Sequence, residues 1–370
     1  MRRSEPCCRC TQGRSVVRFR EVAAVVVCLG AVTLISSKPA SGQGCVCERQ
    51  NPTVLGGPDG YMHKGQWELT TSFLRFVSDK HYIGTQRNFA LTPYAGPVST
   101  RDQFNVDLTY AFSTRWTVSL DVPVQIQSYD LHRVLAASGS TQPVPINTGA
   151  DGIGDITVRA GYWLLSTEHM RGNVFVSLGL ELPTGNDDAT SLIYGRAVPV
   201  DISVQPGNGA WGFIPTVQAF RDFRRISLYA LGTYLINPRD TTGTPAFFNA
   251  LSNPATTTVN SSTDQYFAEV GAAVPIKLRW VTPTLAYRVS GVPVRDLIGG
   301  SDGFRRPATL AYAAPGLNIF LRGHVVNLSV PIVSYVNVKP HIVNGVNQNT
   351  DATVPGFMFA ISYPLRFGGR

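Results

Sequence analysis

The chain has 370 residues and a formal charge of +8, from 32 Lys and Arg against 24 Asp and Glu. Seven of the basic side chains and two of the acidic ones fall in the first 42 residues, so the remainder carries only about +3 and has no concentrated basic face for nucleic acid. Apolar residues at 44% exclude intrinsic disorder, and the spread of 35 Gly and 25 Pro excludes a long helical bundle.

The chain opens on a leader-like segment. Residues 22–36 are a 15-residue uncharged apolar run, short of the roughly 20 residues that a membrane-spanning helix needs. Basic residues precede it, and Lys38-Pro-Ala-Ser-Gly42 follows, with Ala40 and Gly42 as small residues flanking a cut. That is the layout of a secretory signal peptide over residues 1–42. Cys7, Cys8, Cys10 and Cys28 lie within it. Cys45 and Cys47 remain beyond the cut, where an oxidising compartment lets them bridge each other or pair with another chain. Residues 43–64 carry Gly and Pro but no strand pattern, and are expected as a periplasmic or plug segment ahead of a barrel over 65–370.

Beyond residue 64 the apolar residues recur with period 2, the signature of strands with two different faces. An opening run covers 66–78. In the next, Phe104, Val106, Leu108, Tyr110 and Phe112 alternate with Asn105, Asp107, Thr109 and Ala111. The clearest is 116–127, where Trp116, Val118, Leu120, Val122, Val124 and Ile126 oppose Thr117, Ser119, Asp121, Gln125 and Gln127. Further runs are expected at 154–165, 173–183, 211–221, 226–237, 264–275, 279–290, 308–321, 324–337 and 355–367, which makes twelve. Tight links at 113–115, 166–172, 222–225, 276–278 and 322–323 alternate with six long, Gly/Pro/Thr/Asn-rich ones.

Five short turns and six long loops are what a twelve-strand, up-and-down antiparallel barrel requires, with both termini at the short-turn end. Each run is long enough for a tilted strand to cross a bilayer. A soluble exported β-sandwich also alternates, but its strands are typically about 5–6 residues long. In lipid a closed sheet leaves no unsatisfied edge. Trp67, Tyr110, Phe112, Trp116, Tyr162, Trp211, Trp280, Tyr363 and Phe367 fall near run ends, where an interfacial girdle sits. The expected class is all-β, a transmembrane barrel of the cell outer membrane.

If the apolar set faces lipid, the opposite set lines the lumen. Its candidate members are Glu68, Asp107, Asp121, Gln125, Arg159, Glu181, Gln218, Glu269, Arg288 and Arg366. Charges on the lipid side cost about 2–4 kcal/mol at the midplane, so an interior place follows. There they either pair to stiffen the lumen or contact a solute. Twelve strands lie between eight, whose interior side chains just fill, and 16 to 18, which enclose an aqueous channel.

Catalytic signals are poor, and no cofactor is expected. The six histidines (His63, His81, His132, His169, His324 and His341) fall in loops, turns or run ends, with no Ser beside them on a shared strand face. Neither a Gly-x-Ser-x-Gly nor a His-Glu-x-x-His occurs. Asp187-Asp188 reads as a polar turn, and no metal site is expected.

Three segments carry a resemblance. Gly152-Ile-Gly-Asp-Ile-Thr-Val-Arg-Ala-Gly-Tyr-Trp163, Leu178-Gly-Leu-Glu-Leu-Pro-Thr-Gly185 and Pro206-Gly-Asn-Gly-Ala-Trp-Gly212 come in an order similar to that of the MetA-pathway phenol-degradation family. The resemblance is best over residues 100–240. It implies a Gram-negative outer-membrane β-barrel, described for the family as a transporter of aromatic or hydrophobic compounds. Outer-membrane lipid, a small-molecule solute and the barrel assembly machinery are the partners expected. The chain departs from the usual barrel ending, because Gly-Gly-Arg trails the alternating Tyr363, Leu365 and Phe367.

Two functions compete. One is a channel for small organic, hydrophobic or aromatic solutes. The other is a non-transporting surface barrel with a sealed lumen, whose long loops bind a partner.

Overall fold

The structure, a computed structural model, describes residues 61–369 apart from 90–95, 134–141, 167–170, 344–345 and 350. The leader, Cys45, Cys47 and most of the expected plug segment lie outside the described residues.

Twelve antiparallel strands form the wall: β1 Gln66–Ile83, β2 Val98–Ala111, β3 Trp116–Arg133, β4 Val144–Ile153 continuing as Ile156–Trp163, β5 Gly172–Leu182 and β6 Gly212–Asp222. The remainder are β7 Ser227–Leu235, β8 Gln265–Ala273, β9 Val281–Val292, β10 Ala308–Leu321, β11 His324–Ser329 continuing as Ile332–Val338, and β12 Ala352–Gly368. Each strand pairs with its neighbours in sequence, and β1 pairs with β12 from Gln66↔Gly368 to Tyr82↔Ala352. That last ladder closes the sheet, so β1 and β12 satisfy each other's edge groups.

The faces are inverted relative to a soluble barrel. Along β3, Trp116, Leu120, Val124 and Ile126 are exposed on the outside, whereas Asp121, Gln125 and Gln127 are buried inside. Water would penalise such an exterior, and hydrocarbon solvates it. Aromatic residues band the short-turn end, where Trp67 packs on Tyr110 (4.6 Å between ring centroids) and Trp116 on Tyr162 (4.6 Å).

Turn chemistry sets the connections at that end. The β10–β11 link is only Arg322-Gly323, at φ of 48° and 90°, the two positive values that a two-residue type I′ hairpin needs. At the opposite end, long loops fold back over the opening. A hairpin (Thr190–Ile193 with Arg196–Pro199) and a short helix, α1 Phe247–Ser252, pack with Tyr129, Leu131, Ile146, Val200 and Val204 into a hydrophobic core of their own. In barrels of this kind the long loops are extracellular and the short turns periplasmic.

Candidate functional site: the lumen

Inward-facing side chains form two unlike walls. On β2 and β3 they are amides and acids, and hydrogen bonds join them along the strands. The Gln103 amide donates to Asn105 Oδ1 (2.8 Å), and Asn105 Nδ2 donates to both Asp121 oxygens (3.0 and 3.2 Å). One level nearer the loops, Arg101 Nε donates to Gln127 Oε1 (2.8 Å) and Gln127 Nε2 to Gln125 Oε1 (2.7 Å). Buried polar groups need such partners.

The adjoining wall is apolar. Leu74 and Phe76 of β1, Leu310 and Tyr312 of β10, Val336 of β11 and Met358 of β12 pack as one buried cluster inside the barrel. The polar candidates read from the sequence do not include this part of the interior. On β10 both faces are apolar, as in a strand buried on both sides, so alternation there carries no signal.

The structure distributes the ten candidate residues as follows. Asp121, Gln125, Arg159, Glu181, Glu269 and Arg288 are buried on the inner face, while Glu68, Asp107, Gln218 and Arg366 are half-buried there. Glu269 and Arg288 form a buried ion pair between β8 and β9. Arg366 Nε donates to Glu68 Oε2 (2.5 Å) across the closing seam. Asp107 accepts from Thr109 Oγ1 (2.8 Å), and Gln218 stands opposite Phe175 and Leu231. Glu181 accepts from Asn208 Nδ2 (2.6 Å), and Arg159 faces Ser119 and Gly179 across the ladders.

Among the described residues, the part of the expected plug that is visible enters the short-turn end. Tyr61 is buried against Trp163 (5.0 Å between centroids) and Phe220 (5.9 Å). Its carbonyl accepts from Arg366 at 3.4 Å.

The three segments quoted for the family resemblance meet at one point. Asp155 sits where β4 breaks, and its oxygens accept from Gly185 N (3.0 Å) and Asn208 N (2.8 Å). Thr184 Oγ1 donates to Gly154 O (3.0 Å) and accepts from Ile156 N (2.9 Å). Gly185 and Gly207 are in such close contact that a Cβ on Gly207 would lie 2.3 Å from Gly185 O. The knot thus pins the 183–211 loop to the inner edge of the wall.

Sequence reasoning missed the groups that hold the loop cap. Arg306 binds Asp201 through two hydrogen bonds (2.8 and 2.9 Å), and its guanidinium stacks over Phe304 (5.0 Å) and Phe248 (5.7 Å). Burial alone would raise the Asp201 carboxyl, but Arg306 and the N–H and hydroxyl of Ser203 more than offset it, so it stays below the usual carboxylate range. Arg305 pairs with Asp296, and Arg101 reaches from the polar wall to Ser203 O (2.7 Å). The adjacent arginines in Phe304-Arg-Arg-Pro307 were the one visible hint.

Between this cap and the wall lies a cavity of about 90 Å³, lined by Arg101, Gln125, Ser203, Asn208, Arg305 and Arg306 among others. A second, of about 30 Å³, lies lower, beside Glu269, Arg288, Asn318, Asn327 and Ser329. Among the described residues, no group of three or more His, Cys, Asp and Glu is placed to hold a metal ion.

No protein-family model matches the chain. A solved outer membrane channel from Pseudomonas putida F1 superposes with a TM-score of 0.54 at 12% identity, over 86% of this chain and all of that one. The fold is that of a Gram-negative outer-membrane β-barrel. The Ralstonia pickettii toluene transporter TbuX has a TM-score of 0.40 at 10% identity, over 85% of this chain and 93% of its own. The CymD monoaromatic hydrocarbon channel has 0.38 at 10%, over 91% of this chain and 99% of its own. Identities this low speak for the fold alone. The barrel fold, with its lipid-facing apolar exterior, places this chain in the outer membrane.

Proposed function

We propose that this barrel is a channel for small organic solutes, a member of the phenol-degradation transporter family, and a transport protein rather than an enzyme. The observation that carries the reading is the two-sided lumen. A hydrogen-bonding wall on β2 and β3 adjoins an apolar wall on β1 and β10–β12, with a cavity left between wall and cap. A solute with an apolar body and a polar handle, such as a phenol, matches both sides at once. In this reading Asp121, Gln125, Arg159 and Glu181 border its path, and residues 43–64 narrow the periplasmic entrance that Tyr61 already enters. Tyr363, Leu365 and Phe367 serve as the strand end that the assembly machinery recognises. The resemblance to a solved outer membrane channel supports the same reading.

The sealed alternative has one observation in its favour, the cap with its own hydrophobic core. Swelling of liposomes containing the purified barrel separates the two readings. Swelling in small neutral solutes, faster once residues 48–60 are deleted, is the expected result. Exclusion of every solute by both forms would leave the sealed barrel.

A further inference from the structure

Ion pairing is unevenly shared between the parts of the barrel. In the lumen and the loops, cations are repeatedly matched with carboxylates: Arg75 with Asp102, Arg288 with Glu269, Arg305 with Asp296 and Arg306 with Asp201. Around the outer rim of the short-turn end the pattern breaks. Arg221, Arg224, Arg225, Lys277 and Arg279 are all exposed, and among the described residues none of them has a carboxylate within 4.0 Å. The one acid in residues 221–226 and 274–280 is Asp222, which shares the inward parity of buried Phe220.

The sheet brings these cations together. The first residue of β7 pairs with the last of β8, Ser227↔Ala273, so the 223–226 and 274–280 turns spring from one level of neighbouring strands. Phe320 N donates to Trp280 O (2.8 Å), which carries the rim on to the Arg322-Gly323 turn. In the first turn Phe223 N donates to Ile226 O (2.8 Å), leaving Arg224 and Arg225 at its two corners. A two-residue hairpin favours Asn-Gly or Gly there, whose positive φ matches the strand twist. Neither arginine has a positive φ. The turn gives up its preferred chemistry and presents two adjacent cations instead.

Apolar side chains are interleaved with the charges. Phe223, Val274, Ile276, Leu278 and Trp280 are exposed in the same two turns. Arg221 ends the outward row that Phe213 and Val217 begin on β6, and its stem lies across Gly172, where a Cβ would come within 2.8 Å of Arg221 Cδ. A guanidinium at the foot of a lipid-facing row keeps its stem in hydrocarbon and its head at the level of the phosphates. The cations thus sit at the edge of the lipid-facing surface, where the headgroups of the periplasmic leaflet lie.

We infer that this rim is a docking surface for anionic phospholipid of the periplasmic leaflet, its arginines gripping headgroup phosphates. Guanidinium suits the task because its planar fork meets two phosphate oxygens at once. Phosphatidylethanolamine also offers a phosphate, but its ammonium cancels the charge. A rim of cations without carboxylate partners therefore selects a lipid of net negative charge, such as phosphatidylglycerol. This role does not depend on whether the lumen conducts.

The test titrates the purified barrel, in neutral detergent micelles, with phosphatidylglycerol or phosphatidylethanolamine, and native mass spectrometry counts the lipid retained. Preferential retention of phosphatidylglycerol, falling as salt rises, is expected for the natural chain. Arg221→Gln, Arg224→Gln and Arg225→Gln together are expected to lower its affinity on the order of a hundredfold, at about fivefold per cation. Arg221→Lys, Arg224→Lys and Arg225→Lys keep the charge and most of the preference. Arg87→Gln with Arg295→Gln, which neutralises two exposed cations among the long loops, leaves it unchanged. Heat-modifiable migration on gels reports that each variant is folded. Equal retention of the two lipids by the natural chain overturns the inference and leaves the rim to an acidic protein. A preference indifferent to salt overturns it with no variant needed. So does a preference that survives the triple Gln variant, or one that the loop variant lowers as much.

Discussion

The two lumen walls bury similar positions of similar strands by different means. On β2 and β3, Gln103, Asn105, Asp121, Gln125 and Gln127 are held by hydrogen bonds, each amide or acid finding a partner two residues along its own strand or on the neighbouring strand. On β10–β12, Leu310, Val336, Val354 and Met358 are held by contact alone. The polar wall has fixed geometry because each hydrogen bond has a direction, whereas dispersion does not. Rigidity and hydrogen-bond readout therefore belong to β2 and β3. Adaptability and affinity for apolar surface belong to β1 and β10–β12.

The largest effect is expected beside the apolar wall, where Glu269 of β8 and Arg288 of β9 form a buried pair next to β10. Glu269→Gln strands the guanidinium and is expected to cost about 3–5 kcal/mol of barrel stability. Replacing both with Met is expected to recover most of that loss, because an apolar pair suits this side. Urea unfolding in detergent micelles reads both variants. A double replacement as damaging as the single one would mean that the apolar wall does not extend past β10 to this pair.

Next come two substitutions, one in the apolar wall and one in the β4 knot beside the polar wall. Leu310→Ala opens a cavity in the apolar cluster and is expected to cost about 2–5 kcal/mol. Asp155→Ala leaves Gly185 N and Asn208 N without their acceptor, at about 1–3 kcal/mol each. The two should separate by symptom. Leu310→Ala lowers the unfolding midpoint with the loops still docked, whereas Asp155→Ala first frees the 183–211 loop to protease. If Leu310→Ala released that loop equally, the walls would not be independent units.

The strands were largely legible and the walls only half so. Alternation marked 116–127 because Trp116 to Ile126 face lipid, but β3 continues to Arg133. Past Ile126 the outward side chains become Ser128, Asp130 and His132, so the hydrophobic period vanishes while the backbone pairing persists. The same physics hides the start of β2 at Val98. The tight link at 322–323 was readable from Gly323, and the polar wall from every second residue of the second and third runs. On β10, Leu310-Ala-Tyr-Ala-Ala314 is apolar on both faces, and no single-strand pattern says which face meets lipid. The Asp155 knot was visible as three motifs in order, but their meeting point is tertiary. Of the cap only the adjacent Arg305 and Arg306 were visible, since Asp201 stands 105 positions from Arg306.

The smallest expected effect concerns the cap, which bears on the polar side through Arg101 and on neither wall's packing. Because Arg306 and Ser203 hold the folded Asp201 carboxyl below its unfolded value, the pair contributes fully above about pH 4. That contribution is lost as pH falls through the lower folded value. His341, buried against Gly303 O (3.0 Å), has its imidazole pKa pushed down by burial and by the nearby Arg305. Its neutral form is favoured, so acidification below about pH 6.5 costs stability in the same loops. Conductance is therefore expected to stay flat between pH 7 and 8, to rise slightly as His341 is forced to protonate, and to open fully only in strong acid. Asp201→Asn removes the second step and opens the cap at neutral pH, while the urea midpoint moves little because the loops can swing away as a unit. An unchanged pH profile in that variant would mean that the Asp201–Arg306 pair does not hold the mouth, and that access is governed by the walls alone.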